Sequence, residues 1–358
     1  MALTIAGILG IENSETTFVN TVGQVAVYDA VTEYASRLSE DLLRISNLFV
    51  QGVTENHKWR YYLPGDGELL TQGGMARAAE RKIGGSYDVA LPIFQWGDAL
   101  GNSFIDVAYM SIADIDRQVA AIRDRARRTM RRQILSALLD NVTYTFDDKK
   151  QGTLTIKPLA NNDTDLYPPV VGSDVSATAN HYAETGYAVA AISDANNPVK
   201  TVSDALYGRY EGQTVDMLAF VAANVAPYVE GLTEFEPITD PRIQKGANAD
   251  NLINIPASIP GKVLGRINET WVVRWSDLPS NYVVGINPNG EKPLQMRVDP
   301  AYTNLPRNLT LIKQSDEFPL EKSEWMWRFG MGVTNRLNGY VLEVANGGGY
   351  TVPTGFSH

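Results

Sequence analysis

The sequence has no cysteine among its 358 residues, which excludes disulfides, thiolate zinc sites, iron–sulfur clusters and cysteine nucleophiles together. Histidine is nearly as scarce. His57, His181 and His358 lack the spacing of an HExxH or related metal motif and read as ordinary loop or interface residues. No apolar run approaches the roughly 18–20 residues that cross a bilayer. The short apolar stretch near the start has no basic segment before it, so neither a membrane span nor a secretory leader is expected and the reading is cytosolic. Walker, G-x-G-x-x-G and G-x-S-x-G signatures are missing. The glycine clusters at 65–67, 73–74, 84–85 and 346–350 lack the strand–turn–helix frame that cradles phosphate and read as turns. The run NNDTD at 161–165 offers oxygen ligands without the glycine and distal glutamate of an EF-hand, and reads as a solvated loop. No catalytic residue, metal ligand or cofactor is therefore expected, and the strength of the protein must come from packing or assembly.

What is present describes a folded protein, with 44% hydrophobic and 20% charged residues. Its length exceeds the usual ceiling for one core, so two lobes or a core with long excursions are expected. The net charge is -10, yet residues 123–132 read RDRARRTMRR. Between Ile112 and Leu135 seven arginines face three aspartates, a local charge of +4 that leaves -14 on the rest of the chain. Charge is segregated along the sequence.

The arginines sit on a predicted helix. Ser111 can cap it with Asp114 at the third position, and Ile112, Ile115, Val119, Ile122, Ala126, Met130, Ile134 and Leu138 recur at steps of three and four to about Asn141. Thirty such residues make a rod of roughly 45 Å. Arg117, Arg128 and Arg131 or Arg132 lie off that stripe and can reach outward, toward solvent, acidic surfaces of neighbouring copies or nucleic acid. An earlier helix is expected from Gly23 to Gln51, its stripe running Val27, Val31, Tyr34, Leu38, Leu42, Ile45 and Phe49, after an unstructured arm. Residues 56–110 keep no helical period and are rich in glycine, and read as a long β-excursion too thinly apolar to pack alone.

After the rod, 147–158 reads as a hairpin and the stretch around Pro168 and Pro169 as passage into a second lobe. There a helix is expected, capped by Thr201 or Ser203 and ending at Gly212, followed by a buried strand around Val215–Val221. Residues 265–300 read as two strands and a hairpin with NPNG at 287–290 as its turn. In 323–344, Trp325, Trp327, Phe329, Met331 and Val333 alternate with Met326, Arg328, Gly330 and Gly332. A face thinned by glycine admits a close backbone, and the rod is the expected neighbour.

This order of parts, with HYAETG at 181–186, the strand-and-turn run 265–300 and the ending WRFGMGVTNRLNGYV, resembles the major capsid proteins of tailed double-stranded DNA bacteriophages, the Hong Kong-97 fold, over nearly the whole chain. The resemblance implies an α+β chain with an N-terminal arm and helix at 1–55 and an extended β-hairpin E-loop at 56–110. It implies a P-domain at 111–179 and 301–358, with a spine helix at 111–141, and an A-domain at 180–300. It further implies a non-enzymatic protein that forms hexamers and pentamers in an icosahedral virion shell assembled in the host bacterial cytoplasm. A separate scaffolding protein or none follows from the short arm, with a portal and in some members a decoration protein as further partners. Packaged DNA would meet a net-acidic wall and touch it weakly and without specificity. Lys58, Arg60, Arg77, Arg81 and Lys82 in the excursion, and Arg117, Arg128, Arg131 and Arg132 on the rod, are the candidate inter-subunit contacts. Some members weld subunits by lysine–asparagine isopeptide bonds; Lys58 and Lys82 have no marked asparagine or glutamate partner, so no cross-link is expected. Two other functions fit the sequence. One is an encapsulin-like nanocompartment shell of the same fold. The other is a β-rich carbohydrate- or receptor-binding protein, which would use the six tryptophans and seventeen tyrosines as a stacking surface.

Overall fold

The computed structural model describes residues 4–62, 86–161, 181–209, 217–238, 260–305, 307–313 and 322–358. The N-terminal segment forms α1 (Ile5–Leu9), α2 (Val19–Val22) and α3 (Gln24–Ser46), and β1 (Val50–Thr54) follows. Next come β2 (Lys58–Tyr62), β3 (Ser86–Ala90), β4 (Phe94–Gly101), α4 (Phe104–Tyr109) and the long α5 (Ile112–Leu139), then the pair β5 (Tyr144–Asp148) and β6 (Gly152–Ile156). The second half carries β7 (Tyr182–Glu184), α6 (Pro198–Tyr207), β8 (Met217–Val221), α7 (Ala226–Glu230) and β9 (Phe235–Pro237). It continues with β10 (Lys262–Ile267), β11 (Thr270–Arg274), β12 (Tyr282–Ile286), β13 (Leu294–Val298), β14 (Thr310–Lys313), β15 (Lys322–Val333) and β16 (Tyr340–Glu343).

These strands make two principal sheets. One has seven strands in the order β7-β16-β12-β8-β11-β10-β9. The other is built around β15, which pairs along one edge with β4 and along the other with β14 and then β13, while β1 adds in parallel to β13. β2–β3 and β5–β6 are separate antiparallel pairs.

Helix α5 forms where local chemistry dictates. The Ser111 side chain accepts the Asp114 N–H at 3.2 Å while the Asp114 carboxylate accepts the Ser111 N–H at 3.2 Å, a reciprocal cap on two orphan donors. All eight residues of the apolar stripe are buried. Its 28 residues span about 42 Å. The arm is not unstructured: Ile5 and Val19 are fully buried, the Ile112 and Ala113 N–H groups donate to the carbonyls of Thr17 and Ser14, and Asp116 accepts from the Ile5 N–H. The free donors at the start of α5 and the two apolar side chains hold the arm in place.

Several other expectations change. The first helix ends at Ser46, and Phe49 turns inward against Phe220 and Trp275 at ring distances of 5.3 and 5.5 Å, which starts β1. Leu42 and Ile45 lie outside the described side chains. Residues 56–110 are not one excursion, since β4 pairs over eight residues with β15 and α4 follows. Helix α6 is capped by Asn197, whose side chain accepts from the Val199 and Lys200 N–H groups with Pro198 at the first turn; it ends at Tyr207. Pro198 supplies a preset φ there, so the true start lies upstream of Thr201 and Ser203. The hairpin in 265–300 is β10–β11, turning at Asn268 and Glu269. NPNG instead carries the chain from one sheet to the other: the Asn338 side chain donates to the carbonyls of Asn287 and Glu291 and accepts the Asn287 N–H. β13 therefore belongs with the β15 sheet, and β16 with the seven-stranded one.

The alternation in β15 holds, with Trp325, Trp327, Phe329, Met331 and Val333 all buried. Its glycine face meets a different neighbour from the one expected. A Cβ on Gly330 would collide with the Pro92 carbonyl and one on Gly332 with Leu91, so the chain between β3 and β4 crosses there, and the helix lies on the aromatic side.

Candidate functional site

The structure places the candidate cations in two locations. On α5, Arg117 pairs with Asp114 one turn back at 2.7 Å, with its side chain 81% exposed. Such a pair contributes at most about 1 kcal/mol. Arg131 does not reach outward as a free cation: it bonds Asp277 at 2.7 Å and ties the helix to the turn after β11. Arg123 bonds Asp124 at 3.0 Å and Arg125 bonds Asp98 in β4 at 2.6 Å. Arg128 and Arg132 are exposed, and among the described residues no carboxylate lies within ion-pairing distance of either. Their charge is available to a partner.

The second location is the β2–β3 pair. Lys58 is exposed, and Arg60 meets Asp88 across the ladder through two hydrogen bonds of 2.6 and 2.9 Å. The Arg60 guanidinium holds the Asp88 carboxyl below the ordinary carboxylate range, more by its hydrogen bonds than by the charge alone. Arg77, Arg81 and Lys82 lie outside the described residues. The candidates thus make two separate patches.

Sequence reasoning missed a groove beside α5. Trp96 and Asp98 of β4, Ile122, Arg125 and Arg128 of α5, and Trp325 and Trp327 of β15 line a cavity of about 400 Å³. Trp325 and Trp327 are 1% and 2% exposed, and their indole N–H groups have no acceptor among the described residues. A buried donor left unmet costs about 1–3 kcal/mol. The Trp96 N–H, by contrast, donates to the Phe329 carbonyl. The sequence signal was the WMWRF alternation, but nothing local says that β4 and α5 close over it.

The histidines do not gather. His57 lies at the root of β2, and His181 is fully buried with Nε2 3.0 Å from the Asn161 carbonyl. His358 packs on Tyr144 and sits 2.9 Å from Asp140. Among the described residues no group of three or more acids and histidines could hold a metal, and no helix is long and apolar enough to cross a membrane. Most of the run 161–165 lies outside the described residues. Trp271, Trp275, Trp325 and Trp327 are all buried, so the sugar-stacking surface suggested by composition is not formed by them.

No protein-family model matches the sequence, and no curated protein does. Solved structures do match. A chain of Mycobacterium phage Patience superposes with a TM-score of 0.61 at 18% identity, over 92% of this chain and 90% of that one. A chain from the capsid of Ralstonia phage GP4 does so with a TM-score of 0.50 at 11% identity, over 85% and 88%. The chain has the fold of tailed-phage capsid proteins.

Proposed function

We propose that this chain is the major capsid protein of a tailed double-stranded DNA phage, assembling through hexamers and pentamers into an icosahedral shell of the Hong Kong-97 type. The observation that carries the reading is the likeness to phage capsid chains over some nine-tenths of both partners. The layout of the chain supports it. β2–β3 corresponds to the E-loop, α5 with the β15 sheet to the P-domain, and the seven-stranded sheet to the A-domain. Among the described residues the β2–β3 pair has two open strand edges, a liability in a monomer that a neighbouring copy would cover. Obligate contacts of roughly 2,000 Å² or more would replace the absent disulfides. A net charge of -10 suits a wall that must release its genome, and scaffolding, portal and decoration proteins are the expected partners during assembly in the host cytoplasm. No catalytic role enters this reading.

Electron microscopy of the purified chain is the direct test. Closed shells, or rings of five and six, are the expected result, and a dispersed monomer at every concentration and salt overturns the reading. Shells that take up DNA when terminase and portal are supplied distinguish a genome container from a nanocompartment filled with cargo protein.

A further inference from the structure

We propose that the Trp–Arg groove of one copy receives the acidic ridge at the β9 edge of another, a contact that deepens the shell reading and rests on it. The floor of the groove is apolar, built on the Trp325 and Trp327 rings, and its rim carries Arg128, which among the described residues has no acid, since Asp98 is already bonded to Arg125. Its volume is in the range of pockets that enclose a ligand. The occupant it fits is therefore an aromatic or aliphatic side chain flanked by carboxylates.

The chain displays such a surface elsewhere. β9 is the last strand of the seven-stranded sheet and leaves one edge unpaired among the described residues. Beside it Tyr228 is 43% exposed, and Glu230, Glu234 and Glu236 are exposed with no lysine or arginine from Asn224 to Ile238. Arg266, opposite Glu236 on β10, is turned away to the Asn268 carbonyl and the Trp271 ring. The ridge is left net negative. The Tyr228 ring would pack into the apolar floor, while Glu230 and Glu234 meet Arg128. Groove and ridge are different patches of one chain, so their pairing is heterologous, the kind of contact that closes into rings.

The absence of cysteine makes the test clean. Arg128→Cys and Glu234→Cys are introduced singly and together in the full chain, and assembled particles are treated with a short bis-maleimide. The paired variant is expected to give a ladder of covalent oligomers on a denaturing gel, and each single variant to stay monomeric. A paired variant that assembles yet stays monomeric overturns the contact while the shell reading stands, as does a single variant that forms dimers. Charge exchange supplies the second arm. Arg128→Glu and Glu234→Arg should each lower assembly about ten-fold, and the combination should recover most of it. Failure to recover, with all chains folded by circular dichroism, overturns the pairing. A wild-type chain that never assembles removes the shell reading and the contact with it.

Discussion

The seven-stranded sheet and the β2–β3 hairpin belong to one chain but answer opposite questions. In the sheet, β8 and β12 are buried at every position, and both faces are covered, by α6 on one side and by the Phe49–Trp275 cluster on the other. The hairpin strand β2 alternates exposed and half-buried residues. Among the described residues the hairpin's apolar contacts are two small clusters, one in which Tyr61 packs against Tyr87, Val89, Leu91 and Leu337 and one that joins Ala90 to Leu154 and Ile156. Apolar area removed from water sets most of the folding free energy, so the sheet is complete within the subunit and the hairpin is not. Stability resides in the sheet, and on the proposed shell reading association falls to the hairpin.

The sharpest way to break that comparison is to remove matched aromatics. Phe220 is fully buried and lies within ring contact of Phe49 and Trp275. Phe220→Ala is expected to lower unfolding free energy by about 3–5 kcal/mol, measured by urea denaturation of the unassembled chain. Tyr62→Ala, at a residue 73% exposed, should leave the midpoint unchanged. Equal losses would mean that the hairpin is part of the core.

A second test lies at the boundary. Arg297 on β13 donates to Asp148 at 2.6 Å and to the Leu91 carbonyl at 2.8 Å, with both charged side chains 7% exposed. It ties the β5–β6 pair and the root of the hairpin to the β15 sheet. Arg297→Met leaves Asp148 buried without its cation and should destabilise by roughly 3 kcal/mol. Arg297→Met combined with Asp148→Leu should regain part of that loss. If the single change proves neutral, the hairpin root is not anchored to the body of the protein through this pair.

How much of this was written locally in the sequence can be judged from single elements. The cap at Ser111 and the stripe of α5 involve neighbours three and four apart, so both the helix and its buried face were legible. The alternation in β15 was legible for the same reason. What faced each side was not: Gly330 and Gly332 meet Leu91 and Pro92, more than 200 positions away, and only the pairing of β4 with β15 brings that segment there. The arginines were visible as a cluster, yet Arg131 finds Asp277 at a separation of 146 residues, which no periodicity encodes. NPNG is a competent hairpin turn, and Asn338 overrides it by fixing a crossing between sheets. The Trp–Arg groove showed locally only the WMWRF alternation, because its other walls, β4 and α5, lie some 200 positions upstream of β15.

A smaller effect sharpens the same comparison through pH. His181 is pushed down to about 4 by burial, an effect the Asn161 carbonyl opposes and the Arg209 charge reinforces. In the unfolded chain it titrates near 6.5. Between those values the unfolded state binds the proton and the folded state does not, so stability is lost as pH falls from about 6.5 toward 4. Going from pH 7 to pH 5 should cost about 2 kcal/mol, and His181→Gln should flatten that part of the profile. An unchanged slope in the variant would assign the acid sensitivity to other groups.

The least effect on folding is expected where association is expected to be greatest. Arg60 and Asp88 meet on the open hairpin with side chains 57% and 56% exposed. Solvent screens such a pair, so Arg60→Ala should leave the urea midpoint of the unassembled chain where it was. The same change removes a fixed cation from a surface that a neighbour is proposed to cover, and particle yield should fall while the monomer is untouched. A midpoint that drops together with yield would show the hairpin sharing the stability of the sheet, and the division between a self-sufficient core and a dependent arm would fail.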